Sequence, residues 1–268
     1  MTRRVRLATL ALLALAGCAK FQQMLPAPTE QVQFKAAQDT SGAETDARTR
    51  ARVHTELASG YFELGNMGVA LEEANIAMRV DENYGPAYNV AALVYAELKE
   101  DRLAQQHFER ALRVNPLDSD ANNNYGRFLC DRKREAEGIK YFLAALRNPL
   151  YETPDRSYLN AGMCSRRRGD IAAADDYLQK AIKLRPNQPQ ALYQLADMAY
   201  ASGAYAQSKT YLTRLMQVST PNAEVLWLGL RVERRLGDRN AMETYSMQLS
   251  RNFPESKEAQ ALIAGRFE

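Results

Sequence analysis

Three cysteines and two histidines are the residues of this 268-residue chain best suited to chemistry. A cysteine thiolate can be alkylated, oxidised to a disulfide or bound to a metal. Cys18 stands near the start, while Cys130 and Cys164 lie one 34-residue step apart in the middle. A metal site at His54 or His107 would need carboxylates or thiolates converging on it, and the sequence around each favours packing or solvent exposure. No segment carries a phosphate-cradling Gly-rich loop ending in Lys-Ser/Thr, a His-Glu-x-x-His helix or a Gly-x-Ser-x-Gly elbow. The chain therefore reads as a non-enzyme, with no cofactor, no metal and no small-molecule substrate.

The surroundings of Cys18 are more informative. Arg3, Arg4 and Arg6 precede an apolar run from Leu7 to Leu15, followed by Ala16-Gly17-Cys18. A charged start, a short apolar stretch and small residues at its end make a secretory leader, residues 1–17. The run is too short for a spanning helix, which takes about 20 apolar residues. The ending resembles the bacterial lipobox, in which the cysteine thiol is alkylated by a diacylglycerol and the leader is cut in front of it; the other reading is an ordinary leader with an incidental cysteine. Ala19, which is not Asp, resembles an outer-membrane sorting signal, so the resemblance implies a lipid anchor in the outer membrane facing the periplasm. Several acyl chains make such an anchor effectively permanent, where one chain binds only marginally.

Charge excludes a further class. The formal net charge is +3, from 35 basic and 32 acidic residues, but three of the arginines belong to the leader. Without a basic surplus, counterion release cannot drive non-specific nucleic-acid binding. Residues 18–50 are rich in Gln, Thr, Ala and Pro, with Pro26, Pro28 and Ser41-Gly42, and read as a lipidated flexible tether of about 30 Å end-to-end distance.

The elements that must position everything else follow a 34-residue period. In that frame position 8 is Ala58, Ala92, Gly126, Gly162, Ala196 and Leu230. Position 20 is Ala70, Ala104, Gly138, Ala174, Ser208 and Met242, and position 27 begins Ala77, Ala111, Ala145 and Ala181. Small side chains at fixed intervals let the two members of a helix hairpin approach closely. Position 15 holds Gly65, Gly169, Gly203 and Gly237, suited to the left-handed residue that ends a helix, with Lys99 and Lys133 in the other two repeats. Pro116, Pro149, Pro186, Pro221 and Pro254 close the second helices. The repeats are then 51–84, 85–118, 119–152, 155–188, 189–222 and 223–256, with Thr153-Pro154 inserted and a capping helix in 257–268.

This frame resembles the tetratricopeptide repeat, best in repeat 2 with Tyr88, Ala92, Tyr95, Ala104, Phe108, Ala111 and Pro116. The resemblance implies an all-α, right-handed superhelix of six hairpins, in which stacked neighbours hide apolar stripes that no hairpin could bury alone. First helices would line a concave groove, the usual binding surface of the architecture. Its first two repeats offer Thr55, Ser59, Phe62, Asn89, Val90, Leu93 and Ala96, a largely apolar floor suited to a peptide or helix partner; the alternative occupant is the leading tether. Further along stand Arg166, Arg167, Tyr193, Asp197, Tyr200, Trp227, Arg231, Arg234 and Arg235, either an interface of aromatics and arginine or a solvated charged face. The carboxylate-gripping pattern known in this architecture is missing, because its slots hold Thr55, Ser59, Val90, Asp120 and Asn124. Cys130 and Cys164 sit at similar heights on adjacent first helices, either as a periplasmic disulfide or as two small buried hydrophobes.

Several strings narrow the resemblance: Asn123-Asn124-Tyr125-Gly126 with Phe128-Leu129-Cys130, Asn148-Pro149-Leu150-Tyr151, Asn160-Ala161-Gly162-Met163-Cys164, Pro186-Asn187-Gln188-Pro189 and Leu226-Trp227-Leu228-Gly229. They are similar to the type IV pilus biogenesis lipoproteins of the PilF/PilW (pilotin) family. That resemblance implies a secretin subunit as partner, held at the outer membrane until it inserts and multimerises, with no reaction catalysed. A generic periplasmic repeat lipoprotein that scaffolds envelope-assembly or peptidoglycan enzymes is the competing reading.

Overall fold

The computed structural model describes residues 41–267, so the Cys18 assignment, the leader and the tether up to residue 40 lie outside the described residues. The described residues form thirteen helices and no strand. First and second helices alternate: α1 Ser41–Glu63 and α2 Met67–Val80, α3 Gly85–Glu97 and α4 Asp101–Val114, α5 Ser119–Asp131 and α6 Glu135–Ala145, α7 Pro154–Arg167 and α8 Ile171–Leu184, α9 Pro189–Ala201 and α10 Tyr205–Val218, α11 Ala223–Leu236 and α12 Arg239–Asn252. A short α13, Lys257–Ile263, packs on both α11 and α12. Among the described residues no helix is long and apolar enough to cross a membrane.

Local sequence explains where the helices start and stop. The side chains of Asp118, Asp170, Asn222, Asp238 and Ser256 each accept a hydrogen bond from a backbone N–H three residues on, at 2.9–3.1 Å, satisfying a donor that the first turn leaves free. Prolines sit in the first turns of α3, α7 and α9, where the missing N–H costs nothing. Every position-15 residue of the frame has positive φ, from 60° at Lys133 to 85° at Gly169. Lys99 and Lys133 thus take the same left-handed turn as the glycines, because the hairpin geometry dictates the conformation and the side chain merely tolerates it.

The small residues at positions 8, 20 and 27 are the crossing points of each hairpin. Ala58, Ala70, Ala77, Ala92, Ala104 and Ala111 have no exposed surface. Among the glycines the tightest site is in repeat 3, where a Cβ on Gly138 would lie 2.6 Å from the Gly126 carbonyl oxygen. Repeat 6 carries Leu230 and Met242 in these slots and shifts the close contact by one residue, so that a Cβ on Gly229 would meet the Tyr245 ring at 3.1 Å. A mainly aliphatic core runs through repeats 4 to 6 around Leu178, Leu192, Leu195, Leu212 and Leu228, and an aromatic one through repeats 2 and 3 around Phe108, Tyr125 and Phe128.

Two boundaries differ from the sequence reading. Residues 41–50, assigned there to the tether, are helical, because α1 begins at Ser41. Asp46 and Arg50 pair along the helix at 2.9 Å, while Arg48 reaches Asp81 at 3.1 Å and lies over the Tyr84 ring, so the polar composition supports an exposed helical turn. Pro154, read as part of an insertion, is the first residue of α7.

Candidate functional site: the groove of first helices

Successive first helices pack side by side, α3 on α5, α5 on α7, α7 on α9 and α9 on α11. Their common face is where the candidate partner-binding residues fall. In repeats 1 to 3 a hollow of about 260 Å³ is lined by Phe62, Leu93, Ala96, Asn124, Arg127 and Phe128, among others. Phe62, Leu93 and Ala96 are half-buried at its wall, and Ser59, also half-buried, donates its hydroxyl to the Thr55 carbonyl at 3.0 Å.

Thr55, Asn89 and Val90, named from the frame as groove floor, are instead buried between elements. Thr55 donates to the Ala51 carbonyl at 2.8 Å, and Val90 joins the Ala58, Ala74 and Ala91 cluster. Asn89 accepts from the Asn124 side-chain amide at 3.3 Å. One repeat further on, the Asn123 Oδ1 accepts from Ser157 at 3.0 Å and from Asn160 at 3.0 Å. These amides stitch neighbouring first helices together, which satisfies polar groups that burial would otherwise penalise. Arg127 and Phe128 line the hollow without having been singled out from sequence. Arg127 occupies position 9 of repeat 3, where the frame could have found it, whereas Phe128 falls off the groove positions and reaches the wall through its size.

Cys130 and Cys164 are joined as a disulfide between α5 and α7, with Cα atoms 5.9 Å apart. Both are buried, and Arg167 lies beside them, donating to the Asp131 carboxylate at 2.7 Å. The bond ties repeat 3 to repeat 4 at the middle of the groove.

In repeats 5 and 6 the groove becomes aromatic and charged. A second hollow of about 350 Å³ is lined by Tyr193, Asp197, Glu224, Trp227, Arg231 and Lys257, with three more residues. Trp227 stacks on Phe267 with ring centres 5.6 Å apart. Burial, reinforced by the negative charges of Asp197 and Glu224, pushes the Tyr193 hydroxyl up to about 12, so it remains a neutral donor at any physiological pH. Arg166 donates to both Gln194, at 2.6 Å, and Asp197.

The histidines lie apart from both hollows. His54 Nδ1 is 2.6 Å from the Glu73 carboxylate. His107 sits beside the rings of Tyr88 and Tyr95, and burial lowers its pKa. Among the described residues no three potential metal ligands converge.

Comparison with known proteins places this geometry. Family models described as tetratricopeptide repeat match residues 91–152 and 155–188. The type IV pilus assembly protein PilF of Pseudomonas aeruginosa is 29% identical over 265 residues, 98% of this chain and 99% of that protein. A solved structure of PilW, described as a widely conserved type IV pilus biogenesis factor, is 33% identical; the match covers 80% of this chain and 98% of that one, with a TM-score of 0.73. The solved structure of P. aeruginosa pilF superposes with a TM-score of 0.76 at 29% identity, over 82% of this chain and 99% of its own.

Proposed function

Because the chain belongs to the PilF/PilW family of type IV pilus biogenesis proteins, a group of tetratricopeptide-repeat superhelices, we propose that it is a pilotin: a lipid-anchored, non-catalytic carrier of the secretin subunit. In this reading Cys18 is the lipidated first residue of the mature protein and holds the superhelix at the periplasmic face of the outer membrane. The groove receives the secretin subunit, carries it to that membrane and keeps it there until it inserts and multimerises. The observation that carries the proposal is the full-length match to a pilus assembly protein, which takes in the Cys18 region as well as the repeats. A groove whose hollows combine aromatic and apolar side chains with charged ones supports it, since such surfaces dock peptide segments or helices.

Cys18→Ala tests the anchor. The variant is expected to fold with native helix content, to leave the outer-membrane fraction and to reduce secretin multimers severalfold in that fraction. Loss of several acyl chains removes nearly all membrane affinity, so the effect on location should be close to complete. Secretin multimers at wild-type level and in the outer membrane would contradict the assignment and favour a general envelope scaffold.

A further inference from the structure

Three arginines at the end of α7 are already matched: Arg166 with Asp197, Arg167 with Asp131 and Arg168 with Asp170. Arg231, Arg234 and Arg235, on one face of α11, have no carboxylate partner among the described residues. Each lies instead against an aromatic ring: Arg231 over Tyr200 at 4.3 Å, Arg234 over Phe267 at 4.1 Å and Arg235 over Tyr205 at 5.0 Å. Arg235 also donates to the Tyr205 hydroxyl, and the Arg231 Nε is buried without an acceptor. Stacking on a ring face orients a guanidinium and leaves its edge, with the donors, for another group.

The acidic side chains nearby do not change this balance. Asp197 is matched by Arg166, while Glu224 and Glu258 share Lys257 at 3.6 Å each. The imbalance belongs to a gradient along the whole groove. At positions 2, 5, 6, 9, 12 and 13 of the first helices, repeats 1 to 3 carry five acidic and two basic residues, and repeats 4 to 6 carry two acidic and six basic. A bound segment of mixed charge would therefore meet opposite potentials at the two ends, and only one direction would be complementary.

We propose that Arg231, Arg234 and Arg235 form a reader for an acidic segment of a protein partner, and that this reader fixes the direction in which the partner lies in the groove. The inference rests on the groove being a protein-binding surface, as in the pilotin reading. Carboxylates of the partner take paired N–H donors from the oriented guanidiniums, a planar match that lysine cannot reproduce, while apolar residues of the same segment lie against Trp227.

The test uses the Cys18→Ala chain, free of acyl chains and of detergent, and three probes: a short blocked peptide alternating glutamate and leucine, the same peptide with glutamine for glutamate, and vesicles of phosphatidylglycerol and phosphatidylethanolamine. The glutamate peptide should bind, and the glutamine peptide should bind about tenfold more weakly, because each lost charge-assisted hydrogen bond removes a contribution of that order. R231Q/R235Q should lower affinity for the glutamate peptide by about tenfold, with R231K/R235K falling between that variant and wild type. Circular dichroism must show both variants folded; if the glutamine variant does not fold, the lysine variant alone decides. Equal binding of the two peptides, or unchanged affinity in the folded variants, overturns the proposal. So does vesicle binding that depends on these arginines while peptide binding does not, which would make the surface a lipid contact. Secretin capture by the wild type is scored separately, so that failure of the pilotin reading is distinguished from failure of the acidic-segment reader.

Discussion

Replacing Gly138 by alanine is expected to destabilise the protein by about 3 kcal/mol and to lower its unfolding midpoint by about 10 °C. The new Cβ would lie 2.6 Å from the Gly126 carbonyl oxygen and 3.2 Å from the Cys130 backbone nitrogen. Both are backbone atoms, so relief requires α5 and α6 to move apart as units, and their separation strips contacts from Phe142 and its neighbours. Gly60 supplies the contrast. A Cβ there meets nothing within 4 Å and the residue lies inside α1, so Gly60→Ala should stabilise by up to about 1 kcal/mol through helix propensity alone. Thermal and urea unfolding followed by circular dichroism measures both. Equal shifts in the two variants would mean that the crossing of α5 and α6 has room for a methyl group at Gly138.

Removing the disulfide should have an effect of similar size. Cys130 and Cys164 close a loop of sequence separation 34, and the chain-entropy relation gives such a loop about 4 kcal/mol. The location matters as well as the amount. In a repeat array stability is a sum of units and the interfaces between them, and this bond spans the interface at the centre. Cys130→Ser with Cys164→Ser, or wild-type protein under reductant, should unfold at lower urea and over a broader range, as the two halves lose part of their coupling. A variant with the midpoint and steepness of the oxidised protein would show that packing alone holds repeats 3 and 4 together.

What the sequence could reveal follows from how local each determinant is. Hairpin register depends on small residues recurring at fixed steps and on one left-handed turn, so Ala92, Ala104 and Gly203 are readable without coordinates, and even Lys99 and Lys133 occupy slots the period assigns. Side-chain facing within the groove is less local. Thr55 and Asn89 share the helical phase of Leu93, yet both are buried, the Thr55 hydroxyl satisfied by the Ala51 carbonyl of its own helix and Asn89 by Asn124 of the next first helix, whereas Phe128 reaches the wall from a neighbouring phase. The fate of each arginine is least local of all. Arg166 and Arg167 find their carboxylates 31 and 36 residues away, on opposite neighbours, and nothing in the local sequence distinguishes them from Arg231. The start of α1 was hidden for another reason: residues 41–50 have the polar composition of a linker, and an exposed helical turn held by Asp46, Arg50 and Arg48 has the same composition.

We propose that the groove of first helices is the surface through which this pilus biogenesis protein holds a secretin subunit. The most direct measurement is capture of the purified secretin subunit by the wild-type chain, by Leu93→Glu in the first hollow and by Leu143→Glu, an exposed residue of a second helix. Leu93→Glu is expected to weaken capture by at least about tenfold, as placing a charge against an apolar contact costs more than 1.4 kcal/mol, while helix content and Leu143→Glu binding stay native. Undiminished capture by a natively folded Leu93→Glu variant would contradict the account.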